Sequence, residues 1–164
     1  MSKRIFVSLA VSVIVGGFVA AAPAGANGAT KVDLLHDCGP NSVEGPCAGG
    51  NRNMAGPEVG FVNYNQNGQG DLIIVSATKK SEPNRTFSFT LYCGPTHDTA
   101  GNIAHHEADA MTTNVVGNGN TGAIKIPMEQ LLARCGPGAH TGHVDLDSGF
   151  DTTLAATPIN FEVP

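Results

Sequence analysis

Between residues 86 and 93 the side chains alternate without exception: Phe87, Phe89, Leu91 and Cys93 fall on one side of an extended chain, and Ser88, Thr90 and Tyr92 on the other. A period of two is the signature of a half-buried strand, because successive side chains leave opposite faces of the pleat. This segment therefore belongs to a sheet, with its cysteine turned toward the core. Runs of the same kind, less regular, predict strands over residues 58–66, 71–78, 122–126, 141–147 and 158–163, with weaker ones at 30–35 and 111–116. Turn residues punctuate them. Asn67-Gly68-Gln69-Gly70 and Gly117-Asn118-Gly119-Asn120 both read as hairpin connections. A single helix is expected over residues 127–134, with Pro127 suited to a first helical turn and Leu131 and Leu132 facing inward. Seven or eight short antiparallel strands spaced by such turns predict an all-β sandwich with one short helix.

The composition agrees with that reading. Charged residues make up only 14% of the chain, and glycine alone occurs 21 times, a profile closer to exported β-rich proteins than to cytosolic helical ones. Residues 1–26 read as a secretory signal peptide. Lys3 and Arg4 precede an apolar run over residues 5–22, followed by Pro23 and the small triplet Ala24, Gly25, Ala26. Ser8, Ser12, Gly16 and Gly17 interrupt the run, which falls short of the roughly 20 apolar residues of a spanning helix. Cleavage after Ala26 is expected, leaving a secreted, extracellular chain with no membrane segment. In it, residues 27–57 form an N-terminal strand and a closed loop, within one domain with the sandwich of residues 58–164.

Cleavage there removes Lys3 and Arg4 from nine basic residues and none of the 14 acidic ones. A domain that acidic, with no basic stripe, is not built for nucleic acid. Lys79, Lys80 and Arg85 read as a solvated strand end and turn. All four cysteines, Cys38, Cys47, Cys93 and Cys135, follow the cleavage site, where an oxidising compartment lets them pair. An even count without Cys-x-x-Cys points to two disulfides and away from a zinc ribbon. Three connectivities are open. The Gly/Pro-rich stretch between Cys38 and Cys47 favours a local bridge there, with Cys93 joined to Cys135. The longer of these two loops would contribute about 4 kcal/mol by chain entropy.

The stretch Pro83-Asn84-Arg85-Thr86-Phe87-Ser88-Phe89 resembles the Pro-Asn-x-Thr-Tyr-x-Val segment of fibronectin type III-like sandwiches, with Phe87 where that family carries a tyrosine. More broadly, four features of residues 58–164, following the signal peptide, resemble small exported bacterial β-sandwich proteins, distantly immunoglobulin-like. They are the strand ending in Cys-Gly-Pro, the later Arg-Cys-Gly-Pro-Gly, the Thr-Gly-His-Val-Asp-Leu strand, and the terminal Ile-Asn-Phe-Glu-Val-Pro. The resemblance implies a fold and no activity.

Six histidines are the most informative polar residues. On the strand expected from Thr141, Val144 and Leu146 face inward, so His143, Asp145 and Asp147 share the opposite face. An imidazole and a carboxylate two residues apart on one strand face can reach a single ion. His140 stands just before that strand, and His97 follows Cys93 by four residues. If Cys93 and Cys135 are bridged, both histidines leave one covalent junction. His97, His140, His143 and Asp145 thus form the candidate ligand set for zinc or copper(II). The neighbouring His105-His106-Glu107 is expected only to make adventitious metal contact. No Gly-x-Ser-x-Gly elbow, phosphate loop or dinucleotide loop is present, so no catalytic residue and no cofactor are expected beyond that metal. An exported sandwich often binds carbohydrate through aromatic platforms, but this chain has no Trp and only Tyr64 and Tyr92 as tyrosines. The expectation at this point is a secreted, non-catalytic binding or interaction module for an extracellular or cell-envelope ligand. Its alternatives are an extracellular metal-binding protein and a secreted hydrolase.

Overall fold

A computed structural model describes residues 28–37, 56–95, 102–148 and 153–164. Nine strands and one helix follow in chain order: β1 (Thr30–Asp37), β2 (Glu58–Gln66), β3 (Leu72–Thr78), β4 (Thr86–Tyr92), β5 (Ile103–Thr112), β6 (Gly119–Asn120), β7 (Ile124–Ile126), α1 (Met128–Cys135), β8 (Gly138–Asp147) and β9 (Thr153–Val163). The expected all-β class with one short helix is what these residues form. The expected pair of facing sheets is not. A single antiparallel sheet runs β5-β4-β8-β9-β1-β2-β3-β6, with β7 also on β3.

Local chemistry explains the strongest elements. In β3, Leu72, Ile74, Ser76 and Thr78 point inward in strict alternation with half-buried residues. The β2–β3 reversal is built by Asn67, whose side-chain oxygen accepts the N–H groups of Gln69 and Asp71 at 2.9 and 3.0 Å. Gly70 supplies the positive φ of 86° that the turn requires. In β4, Phe87, Phe89 and Leu91 are all fully buried, as the alternation predicts.

The sheet curls until its two ends nearly meet, forming a barrel around those side chains. At one end of the seam, Gly119 of β6 lies against Met111 and Thr112 of β5, and Thr78 Oγ1 reaches Met111 Sδ at 3.9 Å. At the other end α1 fills the opening. Its Leu131 is fully buried, and Gln130 Nε2 donates to the Ala104 carbonyl of β5 at 2.9 Å. That bond satisfies a group on an edge strand which would otherwise lack a partner. The helix start is fixed from outside: Asp71 Oδ1 accepts the Met128 N–H at 3.1 Å, replacing the side-chain cap that Pro127 cannot provide. Its end is tied by the Cys93–Cys135 disulfide, with Cα atoms 5.4 Å apart, so β4 and α1 are covalently joined as expected. The bridge proposed between Cys38 and Cys47 lies outside the described residues.

Two strands escaped the sequence reading: the short β6, which lies in the turn expected at residues 117–120, and most of β5. β5 spans Ile103–Thr112, where a strand was expected only over residues 111–116. Residues His106 to Asp109 are exposed, and Asp109 takes a φ of 53°. A bulged edge strand carries little apolar alternation to read.

Candidate functional site

The register of β8 decides which polar side chains can meet. β8 begins at Gly138, three residues before the expected start, so its parity already runs through His140. His140 pairs with Phe161 of β9 and stacks on its ring at 5.3 Å between centroids, on the core side. Its Nε2 lies 3.1 Å from the Gly136 carbonyl. Gly142 and Val144 continue the inward set, and a side chain at Gly142 would press on the Phe161 ring and the Tyr92 carbonyl. His143 and Asp145 therefore leave from the outward face, three and five positions from His140 and on the opposite side of the sheet.

There His143 and Asp145 meet. His143 Nε2 stands 2.5 Å from Asp145 Oδ1, with side chains only 6% and 7% exposed. Tyr92, opposite His143 on β4, packs its ring 6.0 Å from the imidazole at an interplanar angle of 47°. Asp145 is flanked by Ala155 of β9 and Thr90 of β4, which are 1% and 8% exposed. Thr90 is opposite His106 on β5, and its Oγ1 lies 2.9 Å from His106 Nδ1. A polar row thus crosses three strands, from His106 through Thr90 to the His143–Asp145 pair. The sequence marked His143 and Asp145 as neighbours. It gave no sign of Thr90 or His106 beside them, because that adjacency follows from the pairing of β4 with two strands distant in sequence.

Of the four candidate ligands, the described residues bring together His143 and Asp145 and set His140 on the other face. His97 lies outside the described residues, among which no group of three or more His, Cys, Asp or Glu is arranged to hold a metal ion. His105 is turned elsewhere. Its Nδ1 accepts from Gln130 Nε2 at 3.1 Å, and its Nε2 is 3.7 Å from Glu107.

Neither tyrosine forms an exposed platform. Tyr92 packs on His143, and Tyr64 is only 6% exposed. Elsewhere, Asp71 collects Lys125 Nζ at 2.8 Å, the Met128 N–H and Asn67 Nδ2. The Lys125 ammonium and these hydrogen bonds hold its carboxyl below the ordinary value of 3.8.

No protein-family model matches the chain, and no curated protein matches it. Among solved structures, it is similar to a point mutant of a SOD-like protein from Bacillus subtilis. The identity is 10% and the TM-score 0.43, with 79% of this chain and 96% of that one covered. The expectation of a non-catalytic interaction module is corrected against that finding, and the expected fibronectin type III-like pair of sheets is replaced by the single curled sheet described above.

Proposed function

We propose that the outward pair His143–Asp145 binds a divalent transition-metal ion, zinc or copper(II), and that the chain is an extracellular metal-binding protein. The observation that carries this reading is the convergence of His143 Nε2 and Asp145 Oδ1 to 2.5 Å, with both side chains more than nine-tenths buried. Imidazole nitrogen and carboxylate oxygen are donors that both ions accept. An ion would sit between the two donors at about 2.0–2.2 Å from each, and because protons compete with a metal for imidazole and carboxylate, binding should weaken in acid.

His97 is proposed as a further protein donor. His140 is left out of the set, since its imidazole belongs to the core side. Once bound, the ion would supply a Lewis-acidic centre on the outer barrel face. The Cys93–Cys135 bridge fits an oxidising compartment, and among the described residues no helix is long and apolar enough to cross a membrane.

Elemental analysis of untagged protein from culture medium, followed by calorimetric titration of metal-stripped protein, tests the reading. The expected result is one tight site per chain, weakened at least about tenfold, or about 1.4 kcal/mol, by His143→Ala and by Asp145→Asn. His97→Ala should weaken it as well. The absence of zinc and copper together with no thermal shift on adding either, or full affinity in both the His143 and Asp145 variants, would overturn it.

A further inference from the structure

A cleft lies where the sheet splits. β1 pairs with β9 only from Leu35 to Asp37, while residues Thr30 to Leu34 pair only with β2. The last part of β9 therefore diverges from β1 and leaves a cleft of about 680 Å³ between them, closed below by the β2–β3 turn. That volume falls within the range of small-molecule sites, about 300–1,000 Å³.

Two side chains from β2 form its floor and occupy the edge of β9. Tyr64 Oη accepts the Asn160 N–H at 3.2 Å. The Gln66 amide acts as a substitute peptide group, accepting from the Glu162 N–H at 3.1 Å and donating to the Glu162 carbonyl at 2.6 Å. With these backbone groups engaged, the β9 edge cannot receive an inserted strand, which argues against an extended peptide as the occupant.

The walls select a ligand by chemistry. Asn65, Gln69 and Thr30 present uncharged donors and acceptors, Asn160 offers its Nδ2 while its Oδ1 accepts from Thr141 Oγ1 at 3.2 Å, and Glu162 is the one charged residue among the lining. No cation is available for an anionic ligand. The Tyr64 hydroxyl accepts from Asn160 but donates to no acceptor among the described residues, although the residue is only 6% exposed. Facing the cleft, that hydroxyl hydrogen is free for a ligand oxygen to accept. Amides that both donate and accept match dense hydroxyl groups, whereas an apolar ligand would strand them.

We infer that this cleft binds a neutral polyhydroxylated ligand of the saccharide class, with a ligand oxygen accepting from Tyr64 and ligand hydroxyls on Asn65 and Asn160. The site is separate from the His143–Asp145 pair and does not rest on the metal reading.

The test is a titration of the isotopically labelled chain with maltose, cellobiose and N,N′-diacetylchitobiose, following the side-chain amide resonances of Asn65, Gln66 and Asn160. Saturable shifts confined to these groups are expected for at least one disaccharide, with a dissociation constant on the order of 1 mM. Tyr64→Phe and Asn65→Ala should each weaken binding at least tenfold, and His143→Ala should leave it unchanged. The Asn65 side chain makes no hydrogen bond within the described fold, so its variant remains informative if Tyr64→Phe is destabilised. Retention of the wild type, but not of Asn65→Ala, on the matching insoluble polymer would extend the ligand to polymer chains; failure to be retained would assign the site to free saccharide. The proposal is overturned if no disaccharide gives saturable shifts, if Asn65→Ala binds as the wild type does, or if a sugar phosphate binds more tightly than its neutral parent.

Discussion

His143 and Asp145 point away from the barrel core yet are as dry as the core itself, whereas Tyr64 and Gln66 share the inward parity of Val62 and open onto a cleft. The two regions lie on the same sheet and differ in what their polar groups cost. In the first, an imidazole and a carboxylate without ready access to water must satisfy each other or hold an ion, because burial of an unpaired charge is severely unfavourable. In the second, water can replace a lost partner, so the same kinds of group can be spent on a ligand. Strand parity alone therefore does not decide which polar residues are buried.

Several substitutions would break or sharpen that contrast. Removing the Cys93–Cys135 bridge by a double Cys→Ala change should cost about 4 kcal/mol in urea unfolding by chain entropy. The bridge leaves β4 one residue after Tyr92, so the loss should also appear as a disturbed near-ultraviolet signal from the tyrosine beside His143. Asp145→Ala should cost about 3 kcal/mol, since it leaves His143 buried without its carboxylate. If it costs less than about 1 kcal/mol, the outward face is wetter than its exposure implies, and the contrast collapses. At the cleft, Gln66→Ala should cost only about 1 kcal/mol despite removing three hydrogen bonds, because solvent reaches the freed Glu162 groups. Asn65→Ala should change stability by less than about 0.5 kcal/mol.

The smallest effect concerns pH. The folded-state pKa of Asp71 is lowered by Lys125, Met128 and Asn67. Its contribution to stability is therefore complete above the unfolded value near 3.8 and is lost as the pH falls through the lower folded value. Asp71→Asn should flatten the acid limb of the stability profile below about pH 4 and leave the neutral region little changed apart from the loss of the Lys125 pair. A midpoint that shifts equally at every pH would show that the carboxylate contributes only geometry.

The elements that could be read from sequence were those whose burial is a local pattern. β2, β3 and β4 follow from alternation, and α1 follows from Pro127 and Leu131. What could not be read depends on pairing between distant segments. Whether the strands form two sheets or one closing sheet turns on the contact of β5 with β6 and on α1 filling the remaining opening, and neither leaves a local mark. The site was legible to the same degree. His143 and Asp145 are two apart on one strand, so their meeting follows from the pleat. The place of His140 turned on where β8 begins, and a start three residues earlier put it on the far face. The Tyr64 and Gln66 contacts to β9 span most of the chain and had no signal at all.

The pairing of Leu35 with Ala155 has a consequence for how the molecule forms. The first described strand cannot take its place between β2 and β9 until the last has been made, and β4 likewise waits for β8. Contacts of such long sequence separation slow the search for the native state. The chain should therefore fold late and as a unit, within milliseconds to seconds of its completion, and should remain largely unstructured for as long as its C-terminal strand is missing.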